Sequence, residues 1–122
     1  DHAPHAPFEK AQPFGVAPFG IVGLETALGC ILRWNSALPQ SLTPLQLVHL
    51  MSTAPARLMG LPAGALTIGA PADVTVIDPH LRWRVHPDAL HSKSRNTPFK
   101  GWELLGKARY TFVGGVCVYT AS

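Results

Sequence analysis

The 122 residues suffice for one small domain and are too few for two ordinary ones. Hydrophobic side chains make up 47% and charged ones only 14%, below the roughly 25% of an average globular chain, which excludes a charge-driven disordered tail. The net charge of +3 comes from Lys and Arg scattered between Lys10 and Arg109, and the groups Arg82/Arg84 and Lys93/Arg95/Lys100 are too short for the basic stripe of a nucleic-acid face. No apolar run reaches the ~18 residues of a membrane span, and no basic-then-apolar leader opens the sequence. Neither a nucleic acid nor a membrane is therefore expected as a partner.

In chain order, residues 1–20 read as a long loop, because Pro4, Pro7, Pro13 and Pro18 each remove a backbone donor. Structureless loops of this length are uncommon in compact domains and are often functional. Ile21 to Trp34 reads as a helix, with Leu24, Leu28, Ile31 and Leu32 near helical spacing. Thr43-Pro44 is a helix start, Thr as N-cap and Pro at the first helical position. Thr53-Ala54-Pro55 predicts a further start and Gly60 a stop. From about Pro62 the pattern changes: GALTIGAPADVTVID predicts strand, turn, strand, and Trp83 and Val85 alternate with Arg82, Arg84 and His86. ARYTFVGGVCVYT predicts a hairpin around Gly114-Gly115. Helices come first and strands second. So few short strands cannot close a sheet of their own, so the β part is expected to need partner strands from elsewhere.

The densest chemical cluster is Asp1-His2-Ala3-Pro4-His5. A carboxylate and two imidazoles in five residues suit metal ligation or proton transfer, since both need lone pairs near neutral pH. On these residues alone a solvated polar loop is the stronger reading, because His49, His80, His86 and His91 are isolated and no second ligand cluster lies near. Cys30 and Cys117 make neither a disulfide framework nor a zinc-finger spacing. Both are expected as buried thiols, which points to a reducing, cytoplasmic setting.

DHAPH followed by PFGIVGLETAL, STAPARLMGL, GALTIGAPADVTVID and SKSRNTPFKG resembles, in order and over essentially the whole sequence, the C-terminal part of the dihydroorotases of the longer bacterial type. These are zinc amidohydrolases of pyrimidine biosynthesis. The ADVTVID segment recurs across the amidohydrolase superfamily. DHAPH, PFG-x-x-GLE and SKS-x-NTPF are more particular, and the related dihydropyrimidinases and allantoinases usually lack the second histidine of DHAPH.

The resemblance implies an α/β fold: the C-terminal fragment of a (β/α)8 TIM-type barrel plus the C-terminal half of a small β-sandwich. Residues 1–62 would be the last barrel loop and C-terminal helices, and residues 63–122 the sandwich part. Asp1 would stand at the C-terminal end of the last barrel strand, where catalytic groups of barrel enzymes gather. It matches the family aspartate that contacts zinc and serves as general base and acid in opening (S)-dihydroorotate to N-carbamoyl-L-aspartate. His5 matches the histidine that binds the substrate carboxylate. Phe19 and Gly20 match a pair that meets the ring largely through backbone; glycine there permits close approach, with a plain turn as the alternative. His2 receives no role, Glu25 and Thr26 are expected to cap or orient the helix, and Arg57, Asp73, Asn96, Thr97 and Phe99 are expected to be structural.

One or two zinc ions are implied as cofactor, with the remaining ligands and the substrate-binding arginine and asparagine upstream of Asp1. The chain alone is therefore expected to be inactive without its upstream part. Further implied partners are a second copy of the protein and aspartate carbamoyltransferase. Two alternatives remain: a metal-free scaffold subunit for aspartate carbamoyltransferase, and a hydantoinase- or allantoinase-type cyclic amidohydrolase.

Overall fold

A computed structural model describes residues 1–121. The helical part comprises α1 (Pro7–Lys10), α2 (Ala27–Ser36), α3 (Pro44–Val48), a π-helical turn (His49–Thr53) and α4 (Ala54–Leu58). The strands are β1 (Val74–Arg84), β2 (Glu103–Val113) and β3 (Val116–Thr120), in sheet order β1-β2-β3. A single 3-10 turn, Pro87–Ala89, interrupts the path from β1 to β2. The chain forms two compact units, one of Asp1–Trp34 with His80–Gly106, the other of Asn35–Pro79 with the segment from Lys107 on.

In the first unit, α2 lies against β2. A Cβ on Gly29 would stand 3.0 Å from the Leu104 side chain and 3.2 Å from the Trp83 ring, so any side chain there would make those neighbours give by a few tenths of an ångström. The core beneath is Val22, Val85, Leu90 and Leu104, with Val85 fully buried. Thr26 is also buried, and its Oγ1 donates to the Gly23 carbonyl, while the Thr26 and Ala27 amides donate to the same oxygen. Arg33 stacks 4.8 Å over the Trp102 ring and donates to the Glu103 carbonyl, and Trp102 meets Phe99 edge-on at 5.1 Å.

In the second unit, Thr43 forms the expected cap. Its Oγ1 accepts from the Gln46 amide, Gln46 Oε1 accepts from the Thr43 amide at 2.8 Å, and Pro44 takes the first turn. Asn35 secures the approach to this cap by pairing its side chain with both backbone groups of Leu42. The hairpin forms where expected, with Val113 opposite Val116 across Gly114-Gly115, both at positive φ. Its register shifts beyond Phe112, which faces Cys117, so Val118 is an extra residue on β3. Asp73 Oδ1 accepts from the Gly114 amide, the structural part expected of it.

Several local expectations are corrected. Residues 1–20 include the one-turn helix α1, because Pro7 occupies its first turn and costs no hydrogen bond there. The helix expected from Ile21 starts at Ala27, since residues 24–26 form the turn that Thr26 closes. α4 does start at Thr53-Ala54-Pro55 as expected, but Thr53 is itself helical after the π-helical turn, and its hydroxyl donates to the Gly64 carbonyl instead of capping the helix. Residues 65–68 form no strand. Cys117 is exposed, and Cys30 is only partly buried, enough for desolvation to push its thiol above the ordinary value despite nearby Arg33. Among the described residues no helix is long and apolar enough to cross a membrane.

Candidate active site

Two glycines set the backbone of the site. The Ala3 amide donates to the Ile21 carbonyl at 2.7 Å, laying residues 20–23 directly on residues 1–3. At Gly20, φ is +108° and a Cβ would come within 2.3 Å of the Ala3 Cβ; at Gly23 it would come within 2.5 Å of the Asp1 carbonyl oxygen. Any side chain at either position would push the segment away. The closeness that the sequence reading assigned to a ligand at Gly20 is thus also a closeness to Ala3.

Asp1 is exposed, and its Oδ1 accepts from the His2 amide at 2.7 Å. The His2 ring accepts from the Gly23 and Leu24 amides through Nδ1, at 3.2 and 3.4 Å. In the neutral ring its proton therefore sits on Nε2. His2, which received no role from sequence, ties the turn after Ile21 to the residue beside Asp1.

His5 is held from both ends. Its amide donates to Ser94 Oγ (3.2 Å) and Asn96 Oδ1 (3.3 Å), and the Ser94 hydroxyl also faces the His5 carbonyl. Its Nε2 stands 2.7 Å from the Phe19 carbonyl. A carbonyl only accepts, so Nε2 carries the proton, and Nδ1 faces Glu9 Oε2 at 3.9 Å. Glu9 Oε2 itself accepts from the Ala6 amide at 2.7 Å, closing the start of α1. His5, Phe19 and Gly20 are thus brought together.

The carbonyls around Phe19 are all engaged. Lys10 Nζ donates to Pro18 at 2.9 Å and to Gly20 at 3.2 Å, and Asn96 Nδ2 donates to Ala3 at 2.9 Å and Gly20 at 3.3 Å. The Phe19 side chain itself is 92% exposed. Asn96 is structural as expected, and what it fixes is the pair of segments carrying Ala3, His5 and Gly20.

Glu25 does not cap α2. Its carboxylate takes the His91 amide (2.8 Å) and the Ser92 amide (3.0 Å), and stands 3.1 Å from the His91 ring. Burial alone would raise its pKa, but these donors outweigh it and hold the carboxyl below the ordinary value. Lys10, Ser94 and the Glu25–His91 contact were not found from sequence. Glu9, three residues after Ala6, was the readable sign of α1.

Asp1 offers a carboxylate oxygen of a kind zinc accepts; its Oδ2 takes no hydrogen bond among the described residues. Among those residues no three His, Cys, Asp or Glu side chains gather to hold a metal ion. Asp1 fits as one ligand, and a four-coordinate ion would take its other donors from outside these residues.

The amidohydrolase family model matches residues 26–119. The chain is 50% identical over 121 residues to a dihydroorotase of Citrifermentans bemidjiense and 51% identical to one of Geobacter sp. strain M21, in each case over 99% of its own length and 28% of the relative's. It thus spans little more than a quarter of these curated relatives. Among solved structures it superposes on a D-hydantoinase (dihydropyrimidinase) from Thermus sp. with TM-score 0.86 and 26% identity, covering 98% of this chain and 27% of that one. An L-hydantoinase (dihydropyrimidinase) from Arthrobacter aurescens follows with TM-score 0.77 and 30% identity, covering 87% and 24%.

Proposed function

The chain belongs to the amidohydrolase family, and from that premise we propose that the complete protein is a cytoplasmic, zinc-dependent dihydroorotase, interconverting (S)-dihydroorotate and N-carbamoyl-L-aspartate on the route to UMP. In this reading residues 1–62 complete a (β/α)8 barrel and residues 63–122 supply half of a small β-sandwich. Association with a second copy and with aspartate carbamoyltransferase belongs to the same reading.

The observation that carries the proposal is the contact between His5 and the Phe19 carbonyl. It joins the second histidine of DHAPH, which the related dihydropyrimidinases and allantoinases usually lack, to the PFG segment, which is more particular than the superfamily-wide ADVTVID. The closer sequence likeness to dihydroorotases supports the same choice.

Ring opening breaks the amide C–N bond: water oxygen adds to the carbonyl carbon, and the ring nitrogen leaves with a proton. Asp1 would carry that proton from water to nitrogen, acting first as base and then as acid. Its Oδ1 accepts from the His2 amide, which would leave Oδ2 for the transfer. Bound zinc would supply polarisation of the carbonyl and acidification of water.

His5 would receive the substrate carboxylate at Nδ1, because Nε2–H is committed to Phe19, and donation from Nδ1 would use the doubly protonated ring. Only an acidic ring substrate profits from that arrangement. The test is turnover by the full-length protein of dihydroorotate against hydantoin and dihydrouracil. Preference for dihydroorotate supports the proposal, preference for an uncharged ring favours a hydantoinase, and no turnover with a missing upstream H-x-H pair favours a scaffold subunit.

A further inference from the structure

The Lys10 ammonium is half-buried, makes no ion pair among the described residues, and donates to two backbone carbonyls, those of Pro18 at 2.9 Å and Gly20 at 3.2 Å. They straddle the Phe19 carbonyl, which His5 Nε2 meets at 2.7 Å. Three successive carbonyls are therefore drawn toward protein donors.

A trans peptide unit is planar, so its N–H points opposite to its C=O. No cis bond occurs in the described chain. Holding the Pro18 carbonyl on Lys10 turns the Phe19 N–H the other way, and holding the Phe19 carbonyl on His5 does the same for the Gly20 N–H. Neither amide is engaged by another backbone carbonyl among the described residues. The outcome is a pair of adjacent N–H donors, suited to an acceptor such as the carbonyl oxygen of a cyclic amide.

We propose that Lys10 is a positioning residue: from α1 it fixes the peptide planes of residues 18–20 so that the Phe19 and Gly20 amides face the substrate ring. Its neighbour Glu9 faces the His5 ring from the same short helix, so α1 organises both the backbone and the imidazole sides of the site. That these amides meet a substrate ring, and that the ring is dihydroorotate, rests on the function proposed above. The placement of Lys10 does not.

The test uses the full-length, metal-loaded protein and the variants Lys10→Met and Lys10→Arg. Lys10→Met should raise KM for dihydroorotate about tenfold while kcat stays within about twofold, the pattern of lost binding rather than lost chemistry, and Lys10→Arg should recover most of it. Hydrogen exchange of the substrate-free protein should quicken in Lys10→Met across residues 13–22 and nowhere else. Unchanged KM with unchanged exchange, or exchange quickened throughout the chain, would overturn the proposal. If Lys10→Met does not fold, Lys10→Gln carries the same expectations. Wild-type protein without dihydroorotase activity would refute the proposed function; the exchange experiment needs no substrate and still decides the role of Lys10.

Discussion

The Nε2 of His5 lies 2.7 Å from the carbonyl oxygen of Phe19, fourteen residues along the chain. This fixes the tautomer of the neutral imidazole, so the proposed contact with the substrate carboxylate would fall to Nδ1, which Glu9 Oε2 also faces at 3.9 Å. A ring able to donate at only one nitrogen should not substitute for it. His5→Gln in the full-length protein should therefore raise KM for dihydroorotate more than it lowers kcat, by about tenfold or more if a charged hydrogen bond to the substrate carboxylate is lost. Steady-state kinetics read this directly, and an unchanged KM would remove His5 from carboxylate binding.

Asn96 holds together segments more than seventy residues apart in sequence, through the Ala3 and Gly20 carbonyls and the His5 amide. Asn96→Ala strips partners from these part-buried groups and should cost about 1–3 kcal/mol. Urea unfolding of the full-length protein should show a lower midpoint at unchanged slope. Asn96→Asp keeps the acceptor for His5 and loses the donor for Ala3 and Gly20, so it should fall between the two.

Glu25 gives the fold a pH dependence of known sign. Its carboxyl lies below the ordinary value of 4.5 in the folded chain, held there by the His91 and Ser92 amides and the His91 ring against the opposing effect of burial. The folded state thus binds that proton more weakly than the unfolded state. Its stabilisation is complete above the unfolded-state value and fades as pH falls through the folded one. Glu25→Gln should lower stability by about 1 kcal/mol near neutrality, the contact being partly exposed. Melting curves of both proteins should converge as the pH is lowered below 4.5; a gap that persists there would contradict the assignment.

Leu45, Leu58, Leu66 and Ile68 are all more than four-fifths exposed within this chain. Such apolar area in contact with water favours association. The 122-residue chain produced alone should self-associate and bind a hydrophobic dye, as light scattering and dye fluorescence would show. Monomeric behaviour with a cooperative melt would contradict this.

What was legible in the sequence was local. Thr43-Pro44 and Gly114-Gly115 carry their geometry in adjacent residues, and both formed as expected. Four prolines masked α1, although Pro7 and Glu9 fit a helix start in which Glu9 reaches the Ala6 amide. Apolar spacing from Ile21 onward mimicked a helix through a segment that Gly23 and Thr26 instead close as a turn. Leu66 and Ile68 have strand-like composition, but a strand exists only with a partner, which residues 65–68 lack in the described chain. Glu25 and His91 are sixty-six residues apart, and no periodicity links them. The DHAPH and PFG motifs named His5, Phe19 and Gly20 together and the SKS-x-NTPF motif marked Asn96 as structural, whereas Lys10 emerged only from the hydrogen bonds it makes.

The central claim is that Asp1 moves the proton in dihydroorotate ring opening. The measurement that tests it most directly is turnover of dihydroorotate by the full-length protein and its Asp1→Asn variant, with zinc content determined on both. The account predicts activity in the wild type and a loss of at least ~10²-fold in the variant, the scale of general acid–base catalysis. Near-normal turnover by Asp1→Asn with zinc retained would contradict it.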